Sequence, residues 1–460
     1  KLAGTARSRL SFSFLRHMKA VSAFRRFFFT GLVVVAVSLS ARCAFAGKGA
    51  YVRIFNLTDK PINVRTVVDG FENERFKGDR LTGEIDARSA FPPAGSVYVE
   101  ENNFISASDI TFRFAQNGAR PAIKVIYRTE NTGYYEDWAQ PDNGLFVWSA
   151  IYGFPGVGTQ YQINIFVDDQ KVNPARWMSR IRDDVNLADL MIPGTHDSAT
   201  YNWQVPYVAT QTLDFDEQLQ AGVRYFDLRG GPLINGDVAA VHGDVQLGLL
   251  GFNKIFKQLM AYLDRNPNEV ILIQPSLDVY ATASASRRAI KKLIDDNKRY
   301  FFTENRIPTV GEARGKIVVI NRLGNNDDFN YGFNVIAWTG YDGRRYAVQD
   351  EYDPDSWADK EAAIKKFFRQ YCRPRSPGYE YRLNLNFLSF AGAIPPLLSA
   401  TRVGGVPGMN LRTSYFLGDF VPFPEFQCVV LMDAVQDRRF GATDGLAMTV
   451  VSLNFRRYGK

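Results

Sequence analysis

The chain has 460 residues, of which 46% are hydrophobic, 22% charged and 14% aromatic. That composition excludes disordered, collagenous and disulfide-scaffold classes, and the length exceeds one ordinary core, so two domains or one large barrel with an addition are expected. A net charge of +7 and a pI near 9.1 favour anionic partners, but there is no long Lys/Arg run, zinc-ligand spacing or helix-turn-helix pattern, so nucleic acid is not expected among them.

From Met18 a basic stretch ends in Arg25-Arg26, an apolar run follows from Phe27 to Ala41, and Ala44-Phe45-Ala46 precedes Gly47. This is the layout of a cleaved secretory signal peptide, and an apolar run of about 15 residues is short for a membrane span. Residues 1–46 are therefore read as upstream translation plus leader, and the mature protein is expected to be secreted with no transmembrane segment. Removing the leader leaves two of the three histidines, His196 and His242, and two of the three cysteines, Cys372 and Cys428. Those cysteines can pair in an oxidising compartment; their spacing leaves the question open.

Residues 47–175 carry short β-branched and aromatic segments ("AYVRIFNLT", "INVRTVVDG", "ITFRFA", "AIKVIYRT", "GLFVWSAIYG", "YQINIFVDD") separated by Gly, Asn, Asp and Pro. They predict an antiparallel β-sandwich domain. After "QKVNPARW", apolar strands alternate with helical stretches. Strands are expected to end near "ADLMIP", "VRYFDLR", "VAAVHG", "VILIQP", "KIVVIN", "YAVQD", "RLNLNFLSF" and "CVVLMD", and helices near 253–265, 284–299, 355–371 and 440–455. Eight strands over residues 180–460 predict a distorted (β/α)8 TIM-type barrel, whose active site lies at the C-terminal strand ends.

Each of those ends carries polar residues: His196 and Asp197, Asp227 and Arg229, His242, Arg322, Asp350, Ser389 and Asp433. Two histidines, several carboxylates and two arginines suit acid–base phosphoryl chemistry. Imidazole titrates near neutrality, a neighbouring carboxylate fixes its tautomer, and a guanidinium fork matches phosphate oxygens.

These residues sit in segments that resemble a known family. "IPGTHDS", "AGVRYFDLRGG" and "VHG", followed by "IPTVGEARGKIVVINR", "AVQDEY" and "LNFLSFAG", are similar in type and order to the X-type catalytic region of bacterial phosphatidylinositol-specific phospholipase C. The resemblance spans about residues 180 to 440 and leaves the β-domain uncovered. It implies a secreted enzyme that cleaves phosphatidylinositol or its glycosylated anchors at a membrane surface, giving an inositol 1,2-cyclic phosphate. By the same resemblance His196 is the general base, oriented by Asp433, and His242 is the general acid, supported by Asp197. Arg229 holds the phosphate, and Arg322, Asp350 and Tyr352 contact inositol. The calcium-binding eukaryotic relatives carry an acidic residue where Arg229 stands and Asn at Asp197, so no metal and no other cofactor is expected here. Bacterial members place a lysine after the fourth strand, where this chain has Gln274, Ser276 and Asp278.

Two other readings compete with this one. A glycerophosphodiester phosphodiesterase normally holds its metal with a Glu-x-Asp pair, and the matching stretch here is Asp227-Leu228-Arg229. A non-catalytic lipid- or glycan-binding barrel would lose a catalytic residue, and both histidines and Arg229 are present.

Overall fold

The computed structural model describes residues 48–69, 81–92, 96–101, 108–128, 134–153, 160–202, 205–278, 283–335, 345–374, 381–390, 394–403, 406–419, 425–435 and 445–459. The expected leader and the first residues of the expected 440–455 helix lie outside the described residues.

The amino-terminal strands are β1 (Lys48–Asn56), β2 (Ile62–Asp69), β3 (Gly83–Ile85), β4 (Ser89–Phe91), β5 (Val97–Glu101), β6 (Ser108–Ala115), β7 (Ala122–Arg128), β8 (Tyr134–Gln140), β9 (Phe146–Gly153) and β10 (Gln160–Asp168). They form two five-stranded sheets, one ordered β4-β1-β10-β9 with β5 beside β1, the other β3-β2-β6-β7-β8. Alternate residues of the strands share one core: Val52 and Ile54, Phe112 and Phe114, Ile123 and Val125, Ile163 and Ile165. This is the period-two burial of a sandwich. One feature departs from the expected all-antiparallel pattern. β1 and β10 pair in parallel, from Gly49 opposite Gln160 to Asn56 opposite Val167. About a hundred residues separate them, so no hairpin dictates their direction.

The remaining strands are β11 (Met191–Thr195), β12 (Tyr225–Ile234), β13 (Asp237–His242), β14 (Val245–Gly251), β15 (Val270–Leu277), β16 (Phe301–Phe302), β17 (Lys316–Asn321), β18 (Phe333–Asn334), β19 (Tyr346–Gln349), β20 (Leu383–Phe387), the small ribbon β21 (Arg402–Val403) with β22 (Val406–Pro407), and β23 (Cys428–Met432). A parallel path runs β16-β17-β15-β12-β11-β23-β20-β19. Among the described residues its two ends do not pair with each other, so the sheet is a curled, open barrel. Every residue of β15 and β23 is buried, which is why these strands read as unbroken apolar runs rather than alternating ones.

The "VAAVHG" segment is not the expected barrel stave. As β13 it pairs antiparallel with both β12 and β14. The cause is local: Asn235 and Gly236 both have positive φ, 52° and 81°, the backbone of a two-residue hairpin turn that "LINGDV" announces. The two-residue β16 completes the parallel path instead.

The helices named here are α1 (Phe215–Gln220), α2 (Phe252–Arg265), α3 (Ala283–Asp296), α4 (Val310–Ala313), α5 (Trp357–Gln370), α6 (Pro396–Thr401), α7 (Met409–Asp419), α8 (Gly445–Leu453) and α9 (Phe455–Tyr458). α2 buries Phe252, Ile255, Phe256, Leu259 and Leu263, spaced three or four apart as an amphipathic face requires. Cys372, just past α5, and Cys428 of β23 are buried with their sulfurs 2.6 Å apart.

Sandwich and barrel form one compact unit over residues 48–460. Phe55, Tyr152 and Phe166 turn away from the sandwich core and join Trp177, Leu446 and Val450 in the barrel's cluster. The connecting 3-10 segment Pro174–Arg180 is tied down by Glu269. Its carboxylate accepts the Ser179 N–H at 2.9 Å and pairs with Arg224 at 2.7 Å. Arg224 and Glu269 are both fully buried, so Glu269→Ala strands a buried guanidinium and is expected to cost about 3–5 kcal/mol in urea unfolding. A loss under 1 kcal/mol would show that Arg224 finds other partners.

Candidate active site

The carboxyl ends of the parallel strands open on a cavity of about 1000 Å³, and all eight candidate residues line it: His196, Asp197, Arg229, His242, Arg322, Asp350, Tyr352 and Asp433. Arg322 follows β17 and Asp350 follows β19, near opposite ends of the sheet path, so the curl of the sheet is what brings them to one mouth. Ser389 also lines the wall.

His196 and Asp197 are neighbours in sequence, and in a regular strand their side chains would point to opposite faces. Asp197 instead takes a left-handed conformation, φ +42°, which costs a non-glycine residue about 1 kcal/mol or more. Braces hold this turn. Ser198 N–H donates to Asp227 O at 2.9 Å, Gln211 Nε2 donates to His196 O at 2.8 Å, and Thr210 Oγ1 donates to His196 O at 3.0 Å. The strain therefore presents both side chains to the cavity.

His196 Nδ1 lies 2.9 Å from Asp433 Oδ1, and its Nε2 lies 3.3 Å from Asp197 Oδ2. The same Asp197 oxygen is 3.0 Å from His242 Nε2, and its other oxygen is 3.1 Å from Arg229 Nε. Asp197 thus stands between both imidazoles and the guanidinium. Arg229 also donates from Nε and Nη2 to Asp227, at 3.0 Å and 2.8 Å. Asp227 accepts Gln274 Nε2 at 2.9 Å, and Gln274 in turn accepts the Tyr225 hydroxyl at 2.7 Å.

The charges follow from these contacts. Burial works against an ionised His196, but Asp197 and Asp433 outweigh it and lift its pKa to about 9. Burial likewise opposes His242, and its bond to Asp197 raises it above the ordinary value. Burial would raise Asp197, yet Arg229 and the two imidazoles hold it far below the usual carboxylate range. Asp433 goes the other way, because burial outweighs the pull of His196.

In the sequence Asp227 stands only among the polar strand-end residues, two positions before Arg229. The structure makes it the fully buried anchor of that guanidinium. Thr210, Gln211 and Asn410, which donates to Asp433 O at 2.7 Å, carry no sequence signal, since they act on backbone brought near by the fold. His196, Asp197 and Asp227 offer donor atoms within 4.8 Å of one another, a set able to hold a cation, but both carboxylates already receive the Arg229 guanidinium.

No family model matches the chain. It is similar to the 1-phosphatidylinositol phosphodiesterase of Listeria monocytogenes, 33% identical over 203 residues, which are 41% of this chain and 62% of that protein. The protein of the same name in Staphylococcus aureus is 28% identical over 247 residues, covering 49% of this chain and 78% of the relative. The human PI-PLC X domain-containing protein 1 is 30% identical over 131 residues, 21% of this chain and 40% of the relative. The solved structure of phosphatidylinositol-specific phospholipase C from Listeria monocytogenes matches with a TM-score of 0.49 and 24% identity, covering 62% of this chain and 99% of that one. The match spans less than two thirds of the Listeria relative's sequence. The resemblance drawn from the six segments is borne out by these relatives.

Proposed function

We propose that this protein is a phospholipase C that cleaves phosphatidylinositol, free or carrying a glycan, at a membrane surface. One observation carries the reading: two imidazoles, each in contact with a buried carboxylate, face one cavity, and an arginine is anchored to the carboxylate they share. The resemblance to proteins named 1-phosphatidylinositol phosphodiesterase supports the substrate class.

In this reading His196 Nε2 takes the proton of the inositol 2-hydroxyl while Asp433 holds Nδ1. The 2-oxygen forms the new bond to phosphorus, and the bond to the diacylglycerol oxygen breaks as His242 donates a proton to it. The products are inositol 1,2-cyclic phosphate and diacylglycerol. Arg229 neutralises charge developing on the phosphate oxygens, and Asp197 keeps His242 charged and Arg229 in place. Arg322, Asp350 and Tyr352 line the side of the cavity where the inositol ring binds. Arg229 occupies the carboxylates that a metal would need, which supports a metal-free reaction. The signal-peptide layout of residues 18–46 in the sequence supports export.

Both histidines are raised, and the sign of the pH dependence follows. The base works only when neutral, so activity climbs as pH rises towards the value of about 9 for His196. The acid works only when protonated, so activity falls above the raised value of His242. The kcat/KM profile is expected to be a bell with its maximum on the alkaline side of pH 7; a maximum at pH 6 would contradict this electrostatic picture.

The deciding assay incubates the protein with phosphatidylinositol vesicles in excess chelator and follows products by phosphorus NMR. A cyclic phosphodiester resonance is expected. Absence of turnover in chelator, restored by calcium, would overturn the metal-free reading.

A further inference from the structure

Asp278 is the first residue past β15, and the reaction scheme leaves it idle. Its carboxylate lines the cavity and makes two connections. Oδ2 accepts the Gly243 N–H at 3.0 Å, and Oδ1 lies 3.4 Å from Arg229 Nη1. Its own N–H donates to Gly230 O at 3.0 Å, so the carboxylate is fixed to the strand that carries Arg229. Gly243 follows His242 directly, has φ +56°, and would place a Cβ with nothing within 4 Å. The turn is therefore open on that side and unsupported by packing. His242, at the end of the β13–β14 hairpin, is itself 28% exposed.

We propose that Asp278 is a positioning residue, which ties the turn of the general acid His242 to Arg229 so that acid and guanidinium address one phosphate. This rests on the reaction proposed above for the roles of those two residues. Arg229 already contacts two deeply buried carboxylates, Asp197 and Asp227, so a third at 3.4 Å adds little to holding it. What Asp278 alone contributes is the bond to Gly243. Losing it leaves the end of the hairpin free to move by fractions of an ångström, and misplacement of about 1 Å can cost about 100-fold in rate.

The test compares Asp278→Ala, Asp278→Asn and wild type by two measurements. The first, independent of any substrate, is the proton NMR titration of the histidine C2–H signals, with His242 assigned by its absence in His242→Gln. In wild type the contact with Asp197 holds His242 above the ordinary imidazole value of about 6.5. In Asp278→Ala it is expected to fall towards 6.5, while Asp278→Asn, which keeps an acceptor for Gly243, stays near wild type. The second is cleavage kinetics: Asp278→Ala is expected to lose about 10- to 100-fold in kcat with KM changed less than about twofold, and Asp278→Asn to recover most of it. Asp278→Ser serves in place of the alanine variant if that one fails to fold. An unchanged His242 titration in the alanine variant, or an asparagine variant as impaired as alanine, would overturn the proposal. A shifted titration in a protein that never cleaves phosphatidylinositol would keep the positioning role and overturn the reaction.

Discussion

Replacing His196 with alanine is expected to lower the turnover of phosphatidylinositol by about 10²- to 10⁴-fold, the usual worth of a positioned general base, while the protein stays folded. The fold should survive because the partner left behind can neutralise itself. Asp433 is fully buried and its pKa is already raised by burial, so without the imidazole it takes up a proton rather than remaining an uncompensated charge. The paired variant His196→Ala/Asp433→Asn is expected to be no slower than His196→Ala alone, because Asp433 acts through the ring that has been removed. Circular dichroism reports the fold, and initial rates on vesicles report the loss. Activity within tenfold of wild type would remove His196 as the base.

Arg229→Lys is the second large effect, expected at about 10²- to 10³-fold in kcat. Lysine keeps the charge but cannot reproduce a guanidinium that engages Asp227 through two nitrogens and Asp197 through Nε; a point charge on a flexible stem meets one carboxylate at a time. The phosphate then loses a cation held at fixed distance from both imidazoles. Because the positive charge is still present, added calcium should not restore the rate. Recovery with calcium would mean that the carboxylates, not the arginine, are the functional feature of this corner.

Much of this site is legible in the sequence because its residues are rare and terminal. Two of the three histidines lie past residue 46; His196 follows a parallel strand, whose ends such a sheet gathers at one mouth, and His242 ends the apolar run Val238–Val241. The runs themselves are legible because strands covered on both faces, such as Val270–Leu277, need no polar alternation. What escapes sequence reading depends on direction and depth. Val238–His242 is as apolar as a stave, and only Asn235-Gly236 betrays that the chain turns back. The parallel pairing of β1 with β10 joins residues about a hundred positions apart, which no local pattern encodes. The braces on the His196 turn act on backbone carbonyls, and the role of Asp278 depends on a glycine amide some thirty-five residues earlier, so neither leaves a compositional trace.

The shared packing of Phe55, Tyr152 and Phe166 with Leu446 and Val450 makes the sandwich part of the barrel's own core. A module strung on a flexible tether can be exchanged or lost with little effect on its neighbour. Here, removing residues 48–168 would uncover Leu446 and Val450 on α8. The sandwich therefore acts as a fixed buttress, and a barrel made without it would need polar residues on that flank to stay in solution.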